Sequence, residues 1–106
     1  MNNLKDKIRE QFNGISIIQD PFNVYSFSFI IYFKPYIYVF FEVEKCPEVD
    51  CYLLTHSGQF RADEGVSTVG VVRYTLNTER ELLDKIKEVL EEYNKLSDLL
   101  NNLYRD

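Results

Sequence analysis

The sequence has no tryptophan, one histidine and two cysteines, with three prolines and four glycines among 106 residues. Two cysteines are too few to frame a disulfide-stapled domain, and an apolar content of 45% allows a core without one. A reducing, cytoplasmic setting is therefore expected. A single histidine leaves one side chain with an ordinary pKa near neutrality, and the scarcity of glycine leaves no glycine-rich phosphate loop. Basic residues are also in the minority. Twelve stand against seventeen acidic ones, and the net charge of −5 disfavours a general electrostatic grip on duplex DNA, RNA or an anionic membrane. The opening run Met1-Asn2-Asn3-Leu4-Lys5-Asp6-Lys7 is charged and amphipathic, so no secretory signal is expected. The one apolar stretch long enough to test as a membrane span, Val24 to Val43, is interrupted by Ser26, Ser28 and a central Lys34-Pro35, and its alternation reads as strands.

What the chain has in excess is tyrosine and phenylalanine, eight of each, with ten of the sixteen between Phe22 and Phe41. The length suits one domain, residues 1–106, and 27% charged residues fit a globular body rather than disorder or a collagen-like repeat. Leu4, Ile8 and Phe12 recur every four residues and predict a short amphipathic helix ended by Gly14. Ile15 to Ile18 is a short β-branched strand closed by the turn signal Asp20-Pro21.

From Tyr25 to Phe33, and again from Ile37 to Glu44, apolar residues alternate with a mixed set. A slip of one residue would exchange the faces of such strands, so their register can be argued. A two-residue loop at Lys34-Pro35 would set Phe27 against Glu42. A three-residue loop through Tyr36 instead pairs Phe33 with Ile37, Ile31 with Val39, Phe29 with Phe41 and Phe27 with Val43, and is the expected register. It puts Ser28 opposite Glu42 and Ser26 opposite Glu44 on the outer face. On that same face Ile30, Tyr32, Tyr38 and Phe40 form an apolar patch that needs a cover, by the first helix or by another protein. Val49 to Thr55 predicts a third long strand, His56-Ser57-Gly58 a turn, Gln59-Phe60-Arg61 a short return strand, and Asp63-Glu64-Gly65 another turn. Val66 to Leu76 is the last strand, with Gly70 as a bulge or a place of close backbone approach.

Thr78-Glu79-Arg80-Glu81 matches a capping box and opens a helix whose seam is Leu82, Ile86, Val89, Tyr93, Leu96, Leu100 and Leu103. At about 1.5 Å per residue it should outrun strands of typical length, leaving part of the seam overhanging. The fold class expected is α+β: a short N-terminal helix, an antiparallel sheet of about five strands and a long C-terminal amphipathic helix. The run Gly70 to Glu79 resembles the final strand and capped helix in the small domain of pyridoxal-phosphate-dependent class V aminotransferases. The likeness is confined to that junction, the cofactor-binding lysine has no counterpart, and no function is carried over.

Cys46, Cys51 and His56, with Asp50 and Asp63 close in sequence, could be imagined as a zinc site, but the spacing fits no tight C-x2-C knuckle. No metal or cofactor is expected. Cys46 and Cys51 could close a small disulfide loop, which a reducing compartment opposes. A Cys–His pair is the one nucleophilic arrangement the sequence offers, and its test is whether His56 and either thiol converge. Tyr32, Tyr36, Tyr38 and Phe40 could also stack on bases, although only Lys34 and Lys45 flank the hairpin while Glu42, Glu44, Glu48 and Asp50 make its far end acidic.

These readings converge on a non-catalytic protein-binding module: a small acidic inhibitor, immunity or adaptor protein that occludes a larger partner. An antagonist of a nucleic-acid enzyme, of the anti-CRISPR kind that mobile elements encode, is one version by analogy of composition. The expected partner surface is Ile30, Tyr32, Tyr36, Tyr38, Phe40, Glu42 and Glu44, and the expected homodimer seam is Tyr93, Leu96, Leu100 and Leu103.

Overall fold

The computed structural model describes residues 2–12, 15–18, 25–34, 37–49, 51–62 and 65–103. In chain order they form α1 (Asn2–Gln11), β1 (Ile15–Ile18), β2 (Ser26–Lys34), β3 (Ile37–Lys45), β4 (Tyr52–Ala62), β5 (Gly65–Leu76) and α2 (Glu79–Leu103). Each strand pairs antiparallel with the next, so the sheet is a meander in the order β1-β2-β3-β4-β5, with the four-residue β1 at one edge. The expected helix end at Gly14, the Asp20-Pro21 turn, Pro35-Tyr36 and Asp63-Glu64 lie outside the described residues.

The central register is the expected one. Phe27 pairs with Val43, Phe29 with Phe41 and Ile31 with Val39, and Ser28 and Ser26 meet Glu42 and Glu44 on the other face. At the turn end the expectation fails in detail. Lys34, not Phe33, pairs with Ile37, and the register shifts between Tyr32 and Lys34. An extra residue on β2 thus lets a shorter connection coexist with the register that a longer one would have set, which is what a β-bulge does.

β4 departs most from the sequence expectation. It begins at Tyr52 rather than Val49, and it runs through His56-Ser57-Gly58 without turning or breaking into a separate return strand. His56 pairs with Phe41 on β3 and Val72 on β5, and Gly58 pairs with Val39 and Val69. Tertiary packing overrides turn propensity here. The His56 ring is 5% exposed and stacks on Tyr74, while a Cβ at Gly58 would lie 2.5 Å from Tyr93 Cε1. Glycine at this position makes room for a helix side chain instead of a bend. The bulge lies opposite, at Gly70, which has φ +68° and nothing near its would-be Cβ, so it serves backbone conformation rather than close approach.

One hydrophobic cluster gathers Leu4 and Ile8 of α1, the inward residues of β2 and β3, Leu54, Leu76, and Leu82, Ile86 and Val89 of α2. Both helices therefore cover the same face of the sheet. The α2 cap forms with one change from the expected box: the Glu81 amide donates to Thr78 Oγ1 at 3.1 Å, but the Glu81 carboxylate accepts from the amide of Asn77, at 2.9 Å, rather than from Thr78. α1 adds a residue the periodicity hid. Lys5 is 6% exposed, with its ammonium 5.5 Å from the Phe27 ring centroid. The 25 residues of α2 span about 37 Å, and β4 and β5, at 11 and 12 residues, are longer than typical strands and span about 36–40 Å.

Candidate functional site: the uncovered sheet face

Alternation places the even-numbered residues of β2 and β3 and the odd-numbered residues of β4 away from the helices. The pairing assembles them into rows across the sheet. One row is Tyr32, Tyr38 and Gln59; the next is Ile30, Phe40, Ser57 and Val71; the next is Ser28, Glu42, Thr55 and Arg73; the last is Ser26, Glu44, Leu53 and Thr75. The face grades from aromatic and aliphatic at the β2–β3 turn to polar and acidic at the other end.

Tyr32 and Tyr38 have ring centroids 5.1 Å apart, and Tyr32 remains 54% exposed. Ile30, Tyr38 and Phe40 are half-buried, Ser57 between them and β5 is buried, and Val71 is 68% exposed. The alternative that α1 covers this patch is excluded by position, since Leu4 and Ile8 are buried in the cluster on the opposite face. Tyr36 lies outside the described residues. At the polar end, the carboxyl group of Glu42 is held above the usual range, first by a hydrogen bond with Glu44, then by burial and the Glu44 charge, with Arg73 opposing. Arg73 Nε also donates to Thr55 Oγ1 at 3.2 Å, which ties β5 to β4 across this face.

The cysteine and histidine candidates separate. Cys51 Sγ is 2.8 Å from Cys46 Sγ at the mouth of the β3–β4 connection. His56 lies five residues further along, about 16 Å in extended chain, and points to the helix-covered face. Its Nδ1 is 3.1 Å from Tyr93 Oη, its Nε2 has no hydrogen-bond partner, and Phe41, Tyr74 and Tyr93 surround the ring. Burial pushes its pKa below 6.5, against the opposing charge of Glu92. His56, Glu92, Tyr93 and Leu96 line a cavity of about 190 Å³ that contains no thiol. The Cys–His nucleophilic pair offered by the sequence is thus not assembled. Among the described residues no group of three or more His, Cys, Asp or Glu side chains gathers, Asp50 and Asp63 being outside them.

The candidate dimer seam divides as well. Tyr93 is half-buried and engaged within the chain by His56 and Gly58, and Leu96 is half-buried beside it. The side chains of Leu100 and Leu103 lie outside the described residues, and Leu99, which the heptad reading passed over, is 58% exposed. Among the described residues no helix is long and apolar enough to cross a membrane. Comparison with protein-family models, with curated proteins and with solved structures finds no match to this chain, so its functional reading rests on its own residues.

Proposed function

We propose that this chain is a non-catalytic protein-binding module that docks a partner on the uncovered face of its sheet. The observation that carries the reading is the placement of both helices on one face, which leaves Ile30, Tyr32, Tyr38, Phe40 and Val71 together on the other. Tyr32, with the half-buried Tyr38 and Phe40 beside it, supplies large contact area at small entropic cost, and the Glu42–Glu44 end selects a partner with basic groups beside its apolar anchor. Such a module acts by occlusion, as an inhibitor, immunity or adaptor protein, and a basic nucleic-acid channel is one partner surface of the right chemistry.

The test is capture of a partner by the purified chain and its dependence on this face. Tyr38→Asp and the pair Glu42→Lys/Glu44→Lys are expected to abolish capture, and Leu99→Ala to leave it intact. Capture that survives both face variants refutes the reading. Binding of single-stranded oligonucleotides at low salt, lost in Tyr38→Asp but kept in Glu42→Lys/Glu44→Lys, would replace it with base stacking on the same rings.

A second reading, self-association through the end of α2, is favoured by the exposed Leu99 three residues beyond Leu96. Sedimentation decides it. A wild type that stays monomeric at tens of micromolar refutes it, and a dimer lost in Leu96→Asp/Leu100→Asp supports it.

A further inference from the structure

Cys46 and Cys51 are brought together by the meander itself. Lys45 pairs with Tyr52 as the last rung of the β3–β4 ladder, so the residues just beyond, Cys46 and Cys51, face each other across the opening of the connection. A backbone bond from the Cys46 amide to the Cys51 carbonyl, at 3.1 Å, fixes that opposition, and a bond from the Cys51 amide to the Val49 carbonyl, at 2.8 Å, folds the connection back on itself. Opposed positions on an antiparallel pair hold their Cα atoms about 4.5–5.5 Å apart, inside the span that a disulfide bridges without moving the backbone. The two sulfurs are already in contact, with Cys51 Sγ donating to Cys46 Sγ at 2.8 Å, and both side chains are half-buried, within reach of a small reagent. By strand alternation both belong to the uncovered face, beyond its acidic row.

We propose that Cys46 and Cys51 form a redox-reversible dithiol–disulfide pair whose co-reactant is a low-molecular-weight disulfide of the glutathione class. One protein thiolate attacks a sulfur of the small disulfide and expels one thiolate, leaving a mixed disulfide on the protein. The second protein thiolate then attacks the protein sulfur of that mixed disulfide and expels the second small thiol. Two protein thiols are oxidised, one small disulfide is reduced to two thiols, and the two protons leave with those thiols. The fold supplies the proximity. In the unfolded chain the same six residues search a flexible loop, so the effective concentration of one thiol for the other rises on folding. By the same cycle the disulfide stabilises the fold.

The experiment equilibrates the full chain in reduced and oxidised glutathione, quenches with a maleimide, and reads intact mass with and without denaturant. The folded wild type is expected to lose two hydrogens and both maleimide sites without retaining glutathione. The folded chain should close the bond at a ratio of reduced to oxidised glutathione at least about tenfold more reducing than the denatured chain, equivalent to about 1.4 kcal/mol. The oxidised protein should melt about 5–10 °C higher than the reduced one. Cys46→Ser and Cys51→Ser should each retain one glutathione that the wild type sheds. Wild type that keeps both thiols alkylatable, or that accumulates stable mixed disulfides, overturns the proposal. So does an oxidised form that melts no higher than the reduced one.

Discussion

The two faces of the sheet are built from the same strands and nearly the same residue types, yet they have opposite fates. On the helix side Phe27, Phe29 and Phe41 are at most 2% exposed, with Phe29 and Phe41 stacked at 4.8 Å. On the other side Tyr32 and Tyr38 form a ring pair at similar separation, and Tyr32 stays 54% exposed. Aromatic content therefore does not distinguish a core from a surface in this chain. The deciding fact is that the apolar stripe of α1 and the first half of the stripe of α2 pack on one side of the sheet.

The sharpest way to break this comparison is to truncate matched rings. Phe41→Ala should lose about 3–5 kcal/mol in urea unfolding, because a fully buried ring leaves a cavity. Tyr32→Ser and Val71→Thr should change stability by no more than about 0.5 kcal/mol, as exposed sites do. Equal losses on the two faces would mean that the outer patch is packed in solution. A second, smaller effect belongs to Gly58, where Ala would force Tyr93 off His56. The expected cost is about 1–3 kcal/mol, and Tyr93→Ala should relieve most of it in a double-mutant cycle.

Acidification separates the faces by another route. His56 has its pKa lowered by burial, so the unfolded chain binds the proton more readily than the folded one. Its contribution is full above pH 6.5 and is lost as pH falls through 6.5 toward the folded value. His56→Gln should flatten that slope, measured as unfolding free energy against pH. Glu42 works in the opposite sense on the open face. Its pKa is raised, chiefly by the hydrogen bond with Glu44, so its contribution is present below pH 4.5 and fades as pH rises through the folded value. The smallest expected change is therefore that Glu44→Gln removes part of this raise, which carboxyl NMR titration of Glu42 reads directly.

How much of this was legible in the residues depends on the range over which each decision is made. Strand alternation fixed which side of β2 and β3 is apolar, and the consequence of a one-residue slip fixed their register. The Thr78 cap was equally readable, because its partners lie within one helical turn. His56-Ser57-Gly58 has the composition of a turn, while what holds it extended comes from Phe41, Tyr74 and Tyr93, all distant in sequence. The thiol pair was visible as two cysteines five apart, but their contact needed the ladder that ends at Lys45 and Tyr52.

The sequence by itself determined α1, β2, β3, the pairing of β2 with β3 from Phe27–Val43 to Ile31–Val39, and the capped, amphipathic α2, since each follows from periodicity or from groups a few residues apart. Only the tertiary structure decided that α1 would join α2 on the same face of the sheet rather than cover the outer patch. A short apolar stripe can settle on either side of a sheet with aromatic residues on both, and that choice is made by the summed burial of the whole cluster rather than by any local pattern.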